Sequence, residues 1–184
     1  MASEPGDWID REAEKKAAEC RDLDQILHAY SEARDERFRD IELSETPDFI
    51  ALGASNEVVG IELTRLKFPP NYMSDQRIYD HEWARDDDAL LRLLGLIHQK
   101  ESKLESGRWP ECSRRILFIQ LVDYPLSELE AFETDIPNEN GFSEMWLADF
   151  TILPIYGRVV LHPITHPLGS ELVMLKPELG KPYG

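Results

Sequence analysis

Apolar residues fall at three- and four-residue intervals through the first part of the chain. Ile9, Ala13, Ala17, Leu23, Ile26, Leu27 and Tyr30 mark one face between residues 8 and 39, and charges fill the other. No Gly or Pro interrupts this stretch, so the spacing predicts a helical segment. It is thin in large apolar residues before Arg21, which suits a separate or frayed first helix. Alternation then replaces the helical period. Arg39 to Ser44 alternates polar and apolar residues, and Thr46-Pro47 stops any helix because Pro disfavours the helical region for the residue before it. Two strands follow, at 48–52 and 58–66, with Gly53-Ala54-Ser55-Asn56 as the turn between them. They read as a β-hairpin in which opposed residue numbers sum to roughly 110.

Past Pro69-Pro70 the pattern is irregular to about Trp83. A loop of that length suits a lid or a substrate-facing insertion, with Tyr79 and Trp83 able to stack a base. The helical period returns over 89–104 through Leu90, Leu93, Leu94, Ile97 and Leu104, and Gly107 with Pro110 closes it. Residues 116–122 form a near-continuous apolar run, the mark of a strand covered on both faces. Ser127 and Glu130 have the spacing of a capping box for a short helix to about Thr134. Strands are expected at 145–155 and 158–164, joined around Tyr156-Gly157. Pro154 and Pro163 favour an edge position for that pair. The elements describe one α/β domain with a mixed β-sheet flanked by helices. It divides into an N-terminal helical segment (8–39), a core (40–125) and an extension with a further helix and hairpin (126–184).

Composition narrows the function. With 42% hydrophobic residues in 184, the chain can bury a sizeable core. No apolar run is long enough to cross a bilayer, and the N-terminus has no signal-peptide pattern, so a cytoplasmic location without membrane contact is expected. Cys20 and Cys112 lack metal-type spacing and read as ordinary thiols. The five histidines form no metal-type cluster, and there is no Gly-rich phosphate loop. The formal net charge of −16 disfavours nucleic acid as a partner on average; its first reading is solubility, and its sharper one an acidic surface that meets a basic protein partner or mimics a polyanion.

Two acids on the hairpin carry the candidate chemistry. Asp48 opens the first strand. Glu62 sits within Val58-Val59-Gly60-Ile61-Glu62-Leu63, where burial of a carboxylate is costly without a partner or a metal. Alternation offers an outlet: Ile61 and Leu63 face inward while Glu62 and Thr64 face out. In the expected register Asp48 lies within reach of Glu62. The pair, with the Leu63 carbonyl, offers a partial oxygen shell for Mg²⁺ or Mn²⁺. On the next helix Ile97, Lys100 and Leu104 share one side, so Lys100 borders the buried face, while Lys103 reads as a solvated residue.

Pro47-Asp48, a short spacer and Glu62-x-Thr64 after an aliphatic run resemble the PD-(D/E)XK nuclease superfamily. The resemblance spans roughly residues 20 to 125 and implies a restriction-endonuclease-like αβββαβ core. It implies that Asp48 and Glu62 bind Mg²⁺ and that a Lys two residues after the Glu orients or activates the attacking water. That position is Thr64, whose hydroxyl carries no fixed charge. Some superfamily members relocate the Lys to the following helix, which makes Lys100 the expected substitute, with Lys103 and Gln99 as accessory residues. A carboxylate from the first helix, Glu32 or Glu36, completes such sites. Two functions are consistent with this sequence: a metal-dependent nuclease-like protein acting on phosphodiesters, with activity full or impaired, and a non-catalytic acidic interaction module of immunity or antitoxin type on the same fold.

Overall fold

The computed structural model describes residues 6–67, 86–107, 109–123 and 141–165. In chain order the elements are α1 (Gly6–Arg34), β1 (Arg39–Leu43), β2 (Phe49–Leu52), β3 (Val58–Leu66), α2 (Asp86–Glu105), β4 (Arg114–Leu121), β5 (Glu144–Asp149), α3 (Leu153–Tyr156) and β6 (Val160–Thr165). The first six run α, β, β, β, α, β. All six strands form one mixed sheet in the order of the chain, β1-β2-β3-β4-β5-β6. The β3–β4 and β4–β5 pairs are parallel, and the other neighbours are antiparallel.

Among the described residues, each face of the sheet is covered by one long helix. On one side Leu23, Ile26 and Tyr30 of α1 pack on Phe49, Ile61, Leu63, Ile116, Phe118 and Trp146. On the other, Ala89, Leu93 and Ile97 of α2 pack on Leu66, Leu117, Ile119, Leu121, Met145 and Leu147. Successive residues of a strand point to opposite faces, so β3, β4 and β5 are interior on both. All of β5 is buried, and so are six of the eight residues of β4. The edge strand β1 is exposed throughout.

The β2–β3 register follows the sequence expectation: Phe49 faces Ile61, Ile50 faces Gly60, Ala51 faces Val59 and Leu52 faces Val58. One step further along, Asp48 stands opposite Glu62. Gly60 allows the close approach that seats the preceding Pro47. A Cβ there would come within 3.0 Å of Pro47 Cγ and 2.8 Å of the Trp109 ring. Glycine at 60 therefore lets the entry to β2 lie against β3.

Several expectations change. The first helix is one uninterrupted element from Gly6 and ends at Arg34, five residues before Arg39. Asp35 adopts φ of +52°, which breaks the helical path. The strand expected over 145–155 stops at Asp149. Asp149 Oδ1 accepts hydrogen bonds from the Thr151 amide and hydroxyl, turning the chain. A single turn of helix, α3, then carries Pro154 in its first turn and ends on Gly157 in the left-handed region. The two strands still pair antiparallel, but only β6 lies at the edge. The proposed helix at 127–134 and the loop holding Tyr79 and Trp83 lie outside the described residues.

Candidate functional site

Glu62 is buried, contrary to the outward orientation that alternation allowed, with its side chain 4% exposed. The physical reason is the two-sided cover of β3. The face that carries Glu62 is roofed by α2, so alternation along this strand separates two interiors instead of interior from solvent. Burying a carboxylate there requires a counter-charge. Lys100 supplies it: Nζ donates to Glu62 Oε1 at 2.6 Å and lies 3.5 Å from the Leu63 carbonyl oxygen. Lys100 sits one turn beyond Ile97 on the packed side of α2, which brings its ammonium down onto β3. Its side chain is only 11% exposed. Lys103, one further turn along, is 54% exposed and reaches the same Glu62 oxygen at 3.8 Å.

Asp48, expected to open the strand, joins from the bend just before β2, which begins at Phe49. Its Oδ2 accepts the Leu63 N–H at 2.8 Å, so Leu63 links both acids through its backbone. Burial, and then the neighbouring Glu62 carboxylate, push the Asp48 carboxyl up to about 6; the Leu63 amide and Lys100 oppose the shift, and Glu19 adds to it. The Lys100 ammonium, with the exposed Lys103 at 3.8 Å from the same oxygen, thus leaves the Asp48 charge incompletely compensated. The donors that converge are carboxylate and carbonyl oxygens, the set that suits a hard divalent cation such as Mg²⁺ or Mn²⁺. Among the described residues, no group of three or more His, Cys, Asp or Glu is placed to hold a metal, so an ion here would rest on two carboxylates, the Leu63 carbonyl and solvent.

The other sequence candidates divide. Thr64 is half-buried and lines a cavity of about 510 Å³ together with Lys15, Glu19, Leu63, Arg65 and Lys67. Arg65 turns to the α1 face, where its guanidinium donates to Gln120 and Asp22. Gln99 is exposed on α2. Glu32 and Glu36 are not brought to Asp48. Glu32 makes an exposed i,i+4 pair with His28, and Glu36 binds Arg114, whose position on β4 pairs with Val59, three residues before Glu62. The carboxylate that α1 does bring is Glu19, which lines the cavity and whose charge reaches Asp48. Nothing local in the sequence distinguishes Glu19 from Glu32. The difference is where along the helix the sheet crosses.

A second polar cluster went unnoticed in the sequence. Arg114 donates from Nη1 to Glu36 at 2.6 Å and to Glu57 at 3.0 Å, and from Nη2 to Glu144 at 2.6 Å and to the Tyr30 hydroxyl oxygen at 2.9 Å. Glu144, 1% exposed, also accepts from Tyr30 OH and Trp146 Nε1. Burial, then the Glu144 charge, push the Tyr30 hydroxyl well above its usual range, so it stays a proton donor.

Cys20 and Cys112 are free thiols. No helix among the described residues is long and apolar enough to cross a membrane. Comparison of the chain with protein-family models, with curated proteins and with solved structures returned no match.

Proposed function

We propose that this chain is a metal-dependent nuclease-like protein acting on phosphodiesters, built on a restriction-endonuclease-like core. The observation that carries the reading is the meeting of three charged side chains from separate parts of the chain. Asp48, just before β2, accepts the Leu63 N–H and feels the Glu62 charge, and Lys100 of α2 holds Glu62 at 2.6 Å. The element order α, β, β, β, α, β supports the same reading.

Asp48, Glu62 and the Leu63 carbonyl would hold Mg²⁺ or Mn²⁺. When bound, the ion supplies a water of lowered pKa and neutralises charge developing on the phosphoryl group. The chain's own residues do the rest. Asp48 is ionised above about pH 6 and presents a fixed oxygen through its bond to the Leu63 amide. Lys100 contributes the positive charge that Thr64 lacks, from a buried position where a cation orients water or a phosphate oxygen more strongly than at the surface. Thr64, next to the site and lining the cavity, is left as a hydrogen-bonding hydroxyl. Lys15, Arg65 and Lys67 line that cavity with Glu19, Lys15 paired with Glu19 and Arg65 with Asp22.

The net charge of −16 favours a second reading, a non-catalytic acidic module that binds a basic protein. One assay separates the two. Purified protein is incubated with labelled single- and double-stranded DNA and RNA, with Mg²⁺, with Mn²⁺ and with chelator. We expect cleavage that needs the metal and falls about a thousandfold or more in Glu62→Ala. Equal behaviour of wild type and Glu62→Ala would leave the interaction module as the better reading.

A further inference from the structure

We propose that the Lys100 ammonium and a divalent cation compete for the same oxygens, so that loading the cation and releasing Lys100 from Glu62 are one event. This rests on the metal-site reading above. Lys100 Nζ is 2.6 Å from Glu62 Oε1 and 3.5 Å from the Leu63 carbonyl oxygen. Those are two of the three protein groups assigned to the cation. Asp48 is held differently: its Oδ2 accepts the Leu63 N–H at 2.8 Å. Asp48 is therefore the fixed ligand and Glu62 the contested one.

Burial makes the contest sharp. The Glu62 side chain is 4% and that of Lys100 11% exposed, and two cations on one carboxylate repel strongly where water is scarce. Lys103 can follow Glu62 only from its exposed position 3.8 Å away. The affinity of the wild-type site for a cation is then the intrinsic affinity reduced by the loss of the Lys100–Glu62 pair. A phosphate oxygen that accepts the Lys100 ammonium would free Glu62, so an anionic substrate and the cation bind cooperatively.

The test is calorimetric titration of Mn²⁺ into wild type and Lys100→Met at pH 8, with circular dichroism to verify folding. Lys100→Met keeps much of the aliphatic stem and removes the charge, and it should bind Mn²⁺ at least tenfold tighter than wild type. Equal or weaker binding by the variant, with wild type binding, overturns the competition and leaves the metal site standing. Absence of Mn²⁺ binding in both overturns the metal site itself. Should Lys100→Met not fold, the wild-type protein answers instead. Its Lys100 Cε resonance, assigned with Lys100→Arg, should move on Mg²⁺ titration in step with saturation. A resonance unchanged at saturating Mg²⁺ overturns the competition.

Discussion

The sheet buries charge in two places, and they are built on opposite principles. Around Arg114 one guanidinium is shared by Glu36, Glu57 and Glu144, and Tyr30 and Trp146 add donors to Glu144. There α1, β4 and β5 meet the two loops that carry Glu36 and Glu57, and each of the three carboxylates accepts from Arg114. Around Glu62 the pairing is thin. Lys100 holds one oxygen, Lys103 hovers at the rim, and burial, then the neighbouring Glu62 charge, raise the Asp48 pKa to about 6. A cluster whose carboxylates are tied by many hydrogen bonds serves the fold; one whose carboxylates are held by few is suited to take a cation.

That contrast can be broken most forcefully at Arg114. Arg114→Met should destabilise the protein by about 3–5 kcal/mol, because Glu144 is left buried without its counter-charge. A shift of the urea midpoint measures it. A loss below about 1 kcal/mol would mean that the network is not what holds β4 and β5 to α1.

Asp48→Asn should do the reverse. Asp48 has its folded pKa raised above the ordinary value of 3.8. Its contribution to stability is therefore greatest below about pH 4 and is lost as pH rises through about 6. Asparagine removes the repulsion from Glu62 and can still accept the Leu63 N–H. We expect the variant to be more stable than wild type by about 1–2 kcal/mol at pH 8, with the gain fading to nothing below about pH 4. Metal-dependent cleavage should disappear in the same variant. Thermal melts across pH check the first part. A variant less stable than wild type at pH 8 would remove the claim that the pair is under-compensated.

The smallest effect is expected at Glu32. Its pair with His28 is exposed, so Glu32→Ala should change stability by less than about 0.5 kcal/mol and leave any cleavage unaltered. Loss of cleavage in Glu32→Ala would show that the first helix contributes a different carboxylate from Glu19.

Much of this arrangement was legible from the amino acids alone. The hairpin register followed from one short turn between two alternating strands, and it brings Asp48 opposite Glu62. Lys100 followed from its spacing to Ile97 on an amphipathic helix. The burial of Glu62 did not follow, because a period of two cannot distinguish solvent from a second helix layer. Glu19 was missed for a related reason. A helix of 29 residues is about 44 Å long, so choosing Glu32 or Glu36 over Glu19 requires knowing where it crosses the sheet. The Arg114 network is the most hidden part. Glu36, Glu57 and Glu144 are far apart in sequence, and only the pairings of Arg114 with Val59 and of Ile116 with Glu144 bring them to one end of the strands.

Asp48, Glu62 and the Leu63 carbonyl are proposed to form a cation site beside Lys100. Crystals grown with Mn²⁺ and measured at a wavelength that gives manganese an anomalous signal test it directly. We expect one strong anomalous peak between the Asp48 and Glu62 carboxylates, with the Lys100 ammonium moved off Glu62. A peak elsewhere on the surface, or none at millimolar Mn²⁺, would rule the site out.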